Sequence, residues 1–361
     1  MKNRISLLLG FSLFLIAASA HAQPKQTWVS ATGVDENPDP ELFNCPRIAP
    51  CKTFAGAIAH TAAGGEISVL DAGDFGSVVI TKSITINGGS MLAGIFAEGT
   101  NAVIVNVVPG DPADPGVVIL RGLSINGGGT GLNGIRYLAG AKLIVEHCSI
   151  YGFTQNGIFV SPLAAPGDLV VSNTTLTGVA VGTGSNGIDV VNATSLHVEN
   201  CAIQGFSSSG LVVENSATGI GTFVKDTVMR NNGGNVIAAG KAVFDGCRFE
   251  RNFIGFGVSQ GAKATLHDCV LAGNLLFGFY CHDAGSQALV DGSQISNNLV
   301  GIQAEDSGQV RVSNSNITNN TTGLSAVRAG TILSRIALLV LTNTVNDNGT
   351  NGVFTGTYST K

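Results

Sequence analysis

One short phrase recurs at least nine times along the chain, at intervals of about 20 to 30 residues, and nothing else limits the possible folds as tightly. It reads V-x-x-(Cys/Ser/Thr)-x-(apolar), then Asn a few residues on, then Gly-(apolar)-x-(small apolar). One copy runs from Phe244 to Asn252 and continues with Gly255, Phe256 and Val258. The next runs from Leu266 to Asn274 and continues with Gly278, Phe279 and Cys281. A unit this small buries too little surface to fold alone, so each copy must stack on its neighbours.

Aligned on the small position, the copies give Leu123, Cys148, Thr174, Cys201, Thr227, Cys247, Cys269, Ser293, Ser315 and Asn343. Apolar residues stand two places later and three places earlier, which is a strand period with one face inward. The residue before the small position is Gly122, Asn173, Asn200, Asp226, Gly246, Asp268, Gly292 or Asn314, with His147 as the exception. Gly, Asn and Asp enter left-handed backbone at low cost, so this column predicts a sharp bend between two strands. An Asn column (Asn232, Asn252, Asn274, Asn298, Asn320, Asn348) and a Gly column that opens a third strand follow. Three short strands per turn with fixed corners predict an all-β parallel β-helix, a β-solenoid of ten or more coils. Strands of successive coils lie ~4.8 Å apart, giving a rod roughly 50 Å long. The Asn columns predict side-chain amide ladders along the stack.

The ends depart from the repeat. Residues 1–22 carry Lys2 and Arg4, an apolar run from Ile5 to Ala20, and Ala20-His21-Ala22, the pattern of a secretory signal peptide. This predicts a secreted or periplasmic protein with no membrane span after cleavage. Residues 23–65 predict an N-terminal cap, with a strand at Thr27 to Ser30 and a short helix over Phe54 to Thr61 presenting Phe54, Ile58 and Ala59. Residues 66–361 are assigned to the β-helix. The last coil, near Phe354, has no evident helical cap, so a partner or a second subunit is expected to cover that end. Charged residues make up 12% of the chain and the net charge is −5, which argues against nucleic acid as a partner.

Thr27-Trp28-Val29-Ser30-x-x-Gly33-x-Asp35-x-Asn37-Pro38, then Ala49-Pro50-Cys51-Lys52-Thr53-Phe54-x-x-Ala57-Ile58, resembles the N-terminal signature of secreted bacterial parallel β-helix proteins of the pectin-lyase-like fold. The resemblance implies the right hand, which crossover rules also favour. It covers the cap specifically and the coils generically. The superfamily holds polysaccharide lyases, glycoside hydrolases and epimerases alongside members without known activity, so it implies a substrate class and not a reaction.

Cys45 and Cys51 enclose a short loop in an exported chain and are expected to form a disulfide. Cys148, Cys201, Cys247, Cys269 and Cys281 fall in inward columns and read as buried thiols, although adjacent coils bring Cys247 and Cys269 within bridging reach. No C-x-x-C pair supports zinc.

Catalysis on polysaccharides asks for carboxylates clustered across neighbouring coils. The outward column after the Gly corner is read as Arg136, Phe159, Asp189, Val212, Ile237, Gly257, Tyr280, Gln303, Ser325 and Phe354. Asp189 is its one acid, and the residues directly above and below it are apolar. No Asn-x-Asp, Asp-Asp, Gly-His-Gly or Arg-x-Lys series is present, which argues against standard pectinase chemistry. His282-Asp283 aligns with Glu305-Asp306 one coil on. Asp283, Glu305 and Asp306 are therefore the candidate acid/base residues, with Asp283 and Asp306 a candidate calcium pair, because stacked carboxylates repel unless a cation or proton intervenes. Phe159, Tyr280 and Gln303 are the candidate sugar-contacting residues. The resulting expectation is an exported β-helix presenting a long face to a polysaccharide or cell-surface partner, with no cofactor required. A polysaccharide lyase or glycoside hydrolase working near 283–306 is the first alternative. A structural or adhesive module is the second.

Overall fold

The computed structural model describes residues 23–37, 39, 42, 44–108, 110, 112, 114–161, 167–179, 185–214, 219–337 and 340–359. Residues 1–22, where the signal peptide is expected, lie outside them. The chain winds as a right-handed β-solenoid of about 11 turns with a single short helix near its N-terminus. Each coil contributes to three faces. The first face is a continuous parallel sheet that starts at β1 (Gln26–Val29) and β2 (Gly65–Val69) and continues through every coil. Residues pair coil to coil in strict register, for example Val224 with Phe244 and Phe244 with Leu266.

The apolar columns point inward and are fully buried: Val145, Val171, Val198, Val224, Leu266 and Val290 on the first face, Ile150, Leu176, Ile203 and Ile295 on the second. Four phenylalanines fill the centre of later coils. Phe256 lies with its ring centroid 4.5 Å from Phe244 and 5.9 Å from Phe279, and Phe249 completes the group. Each such burial stabilises the stack by about 1.5–3 kcal/mol.

Both corner types are left-handed. At the first corner φ runs from 46° at Asp226 to 66° at Gly122, and His147, at 54°, bends as its neighbours do. A second left-handed column precedes the Asn ladder, and Arg251 alone in it departs from Gly, Asn and Asp: Gly205, Asn231, Arg251, Gly273, Asn297, Asn319 and Asp347. The ladder itself is a run of buried amides. The backbone N–H of Asn252 donates to Asn274 Oδ1 at 3.0 Å, that of Asn274 to Asn298 Oδ1 at 2.9 Å, and that of Asn298 to Asn320 Oδ1 at 3.0 Å. Each side-chain amide meanwhile donates to a carbonyl of the preceding coil, as Asn274 Nδ2 does to Phe249 O at 3.1 Å. The corner backbone is thereby satisfied without water.

In the cap, Thr53 opens helix α1 (Phe54–His60) by accepting from Gly56 N–H at 2.9 Å. Asp35 accepts from the backbone of Lys52 and Thr53 at 2.8 and 2.9 Å, and a Cβ on Gly56 would strike that carboxylate. The helix buries Phe54 and Ala57, with Ile58 partly covered, whereas Ala59 is exposed. The expected face was therefore rotated: at 3.6 residues per turn, positions three and four beyond Phe54 share its side and position five does not. Cys45 and Cys51 form the expected disulfide, with Cα atoms 5.0 Å apart. The five other cysteines are buried free thiols, Cys247 and Cys269 included. Burial pushes the Cys148 and Cys201 thiols up to about 11.

Two expected outward residues are placed elsewhere. Val212 pairs with Val236, not Ile237, because the register slips between Ser209 and Val212; Ile237 is fully buried. Asn235 takes the inward place beside it, accepting from Leu211 N–H at 3.2 Å and donating to Gly255 O at 2.8 Å. Phe354 packs against the core at the last coil, where Gly356–Tyr358 turns back to pair with the first face.

Candidate functional site

The outward row of the third face is the platform that the repeat leaves for chemistry. Phe159 pairs with Arg136 on one side and Asp189 on the other, and Tyr280 pairs with Gln303. Five strand spacings, ~24 Å, separate Phe159 from Tyr280, so these candidates fall into two groups.

The group near 283–306 is internally paired. His282 stands over Glu305 in register. Glu305 is buried, accepts from Tyr280 Oη at 2.8 Å and Gln303 Nε2 at 2.9 Å, and forms an ion pair with Arg328. Arg328 Nε also lies 3.3 Å from Asp306 Oδ1. Asp283 Oδ2 accepts from Gln260 N–H at 3.1 Å and faces His282 Nδ1 at 3.1 Å. The Tyr280 ring packs against Phe277 and His282, with centroids 4.7 and 4.8 Å away. Among the described residues no group of three or more His, Cys, Asp or Glu is placed to hold a metal ion. The calcium expectation thus stands on two carboxylates that already face other partners.

The other group opens into a groove of about 490 Å³ lined by Arg136, Phe159, Asp189 and a row of amides, among them Asn133, Asn156 and Asn186. The amides hold one another: Asn156 Nδ2 donates to Asn133 Oδ1 at 3.0 Å, and Asn133 Nδ2 to Asn101 Oδ1 at 2.8 Å. Asn186 Nδ2 donates to Asp189 Oδ2 at 3.2 Å. Asp189 is 8% exposed, and burial pushes its carboxyl up to about 6, with the Glu214 carboxylate adding to the rise and the Asn186 bond opposing it. Asp189 Oδ1 and Arg136 Nε are both buried without a hydrogen-bond partner among the described residues. Unmet donors and acceptors of this kind cost about 1–3 kcal/mol each, a cost that a bound polar ligand offsets.

In its column Asp189 stands between the apolar Phe159 and Val212, which conceals it among the candidate acids. The partner that matters is two coils away, where Arg136 flanks the Phe159 ring from the opposite side. One signal was present in the sequence. Asn precedes the corner glycine in three consecutive coils, at Asn133-Gly134, Asn156-Gly157 and Asn186-Gly187, whereas Ser, Ile, Phe, Val or Thr does so at Gly210, Gly255, Gly278, Gly301 and Gly323.

The profile described as "Right handed beta helix region" matches residues 67–242 and 226–361. The chain belongs to this right-handed β-helix family. Among solved structures, the family member is similar to pectate lyase Pel9A, at 13% identity and a TM-score of 0.51, over 86% of this chain and 78% of that one. It is also similar to the A-module of the Azotobacter vinelandii mannuronan C-5 epimerase AlgE6, at 16% identity and a TM-score of 0.54, over 85% of this chain and 92% of that one. At these identities the likeness is one of fold. No curated protein sequence matches the chain.

Proposed function

We propose that this β-helix is an exported polysaccharide-binding protein whose principal groove crosses the third face at Arg136, Phe159 and Asp189. One observation carries the reading: a cationic side chain and a carboxyl, each with a buried polar atom that has no partner among the described residues, flank an aromatic ring at the centre of the same groove. A sugar ring offers an apolar face to Phe159 and hydroxyl or carboxylate groups to its neighbours. The basic start, apolar run and Ala20-His21-Ala22 support export, as does the Cys45–Cys51 disulfide. The structures of similar fold include enzymes named for pectate and mannuronan, so acidic polysaccharides are the first ligands to test.

A second reading rests on Asp189 alone. A carboxyl held near 6 exchanges protons close to neutral pH, as a general acid or base must, and this favours a polysaccharide-active enzyme centred on this groove over one at 283–306. The purified protein is to be assayed for binding and turnover on pectin, alginate and other polyuronates, with and without calcium. Binding without turnover, weakened at least tenfold by Arg136→Ala and by Phe159→Ala, supports the binding reading. Turnover abolished by Asp189→Asn supports the enzyme. Turnover that survives Asp189→Asn but is lost in Asp283→Ala or Asp306→Ala refutes both placements.

A further inference from the structure

The second face carries a groove of different chemistry. Its outward residues form two rows across early coils. Asp74 pairs with Gly94, Gly94 with Ser124 and Ser124 with Ser149, so this row is low and polar. Two residues further along each strand, Phe96 pairs with Asn126 and Asn126 with Tyr151. Phe96 and Tyr151 are 44% and 36% exposed, so both rings are open to solvent on this face. Leu92, 69% exposed, stands on the opposite side of the low row.

The space between these walls is continuous. A cavity of about 230 Å³ at Asp74, Phe96 and Asn126 and one of about 520 Å³ reaching His147 and Asn173 share Leu92, Ser124 and Tyr151. The floor admits a ligand because Gly94 and Ser124 add almost no bulk. Two strand spacings, ~9.6 Å, separate the aromatic positions along the solenoid axis, more than one sugar ring spans. The ligand that meets both aromatics is therefore a chain of rings laid parallel to the axis. Among the described residues neither cavity is lined by Lys or Arg, and the one lining carboxylate is that of Asp74 in the smaller cavity, whose Oδ1 already accepts from the backbone of Gly76 and Phe96 at 3.1 and 3.0 Å. A polyanion finds no counter-charge here, whereas hydroxyl groups find Ser124, Asn126, Ser149 and the free edge of Asp74.

We propose that this groove is a second glycan site, specific for a neutral oligosaccharide and independent of the Arg136–Asp189 groove. Aromatic and aliphatic walls take the apolar ring faces, and the low polar row takes the hydroxyls.

The test is calorimetric titration of the full chain with cellohexaose, xylohexaose and mannohexaose, and with hexagalacturonate as the acidic probe. Concentrations reach about 1 mM, where a ligand worth ~4 kcal/mol half-saturates its site. At least one neutral hexamer binds. Tyr151→Ala weakens that binding about tenfold, as loss of one stacking surface predicts, and Arg136→Ala leaves it unchanged. Ser124→Trp fills the floor, at the loss of the 3.4 Å contact between Ser124 Oγ and Tyr151 Oη, and abolishes binding, while an unaltered melting temperature shows that the coil is intact. The proposal is overturned if no neutral hexamer binds, if Ser124→Trp binds as the parent does, or if Arg136→Ala weakens neutral binding as much as Tyr151→Ala.

Discussion

Asp189→Asn is expected to stabilise the protein, by an amount that depends on pH. The folded carboxyl is held at about 6 against 3.8 for a free one, chiefly because the groove wall strips water from it. That difference corresponds to ~3 kcal/mol between the protonated and ionised forms. The sign follows from linkage. The folded state holds the proton more tightly than the unfolded state, so this contribution is fully present below about pH 4 and is lost as pH rises through about 6. Above that range the native protein carries an ionised, poorly solvated carboxylate, and the amide removes it while keeping an oxygen that accepts from Asn186 Nδ2. For a chain of this length ~3 kcal/mol shifts the melting point by about 4 °C. Melting curves of parent and variant at pH 4, 5, 6, 7 and 8 measure it. The curves should coincide at pH 4, diverge from 4 to 6, and run parallel above. An equal difference at every pH, or a less stable variant at pH 8, refutes the claim that desolvation dominates this carboxyl.

Two further perturbations test the parts of the fold that hold the candidate residues. Arg328→Ala leaves the buried Glu305 carboxylate with Tyr280 and Gln303 alone and should cost ~2 kcal/mol, below the usual range for a buried pair because Arg328 is largely exposed. In a Glu305→Gln background most of that cost should disappear, and urea midpoints of the four-member cycle check it. Asn274→Ala strands the buried Asn252 N–H and should cost ~2–3 kcal/mol, with faster amide exchange confined to the coils around 252 and 274. Exchange that rises uniformly along the rod would contradict nearest-neighbour stacking.

The repeat determined a parallel β-helix, and its right hand came from the resemblance in the cap and the crossover rule. Period-two apolar columns allow only one inward face per strand, and small or left-handed-tolerant residues at fixed offsets define where each strand must end. The repeat also predicted the buried thiols and the Asn ladder, whereas the disulfide was legible from the short Cys45–Cys51 loop of the cap. Corners were legible where Gly, Asn or Asp stood and illegible where Arg251 or His147 adopts the same backbone, because stacking between coils imposes the bend on any residue there. Which outward residues act together was decided by the tertiary structure. Coupling between columns depends on counting coils without error, and the one-residue slip near Gly234 moved Ile237 from the surface into the core. Arg136 and Asp189 are more than fifty residues apart in sequence, each next to an apolar neighbour in its column. Only the groove, by burying one polar atom of each beside the same aromatic ring, makes them a pair.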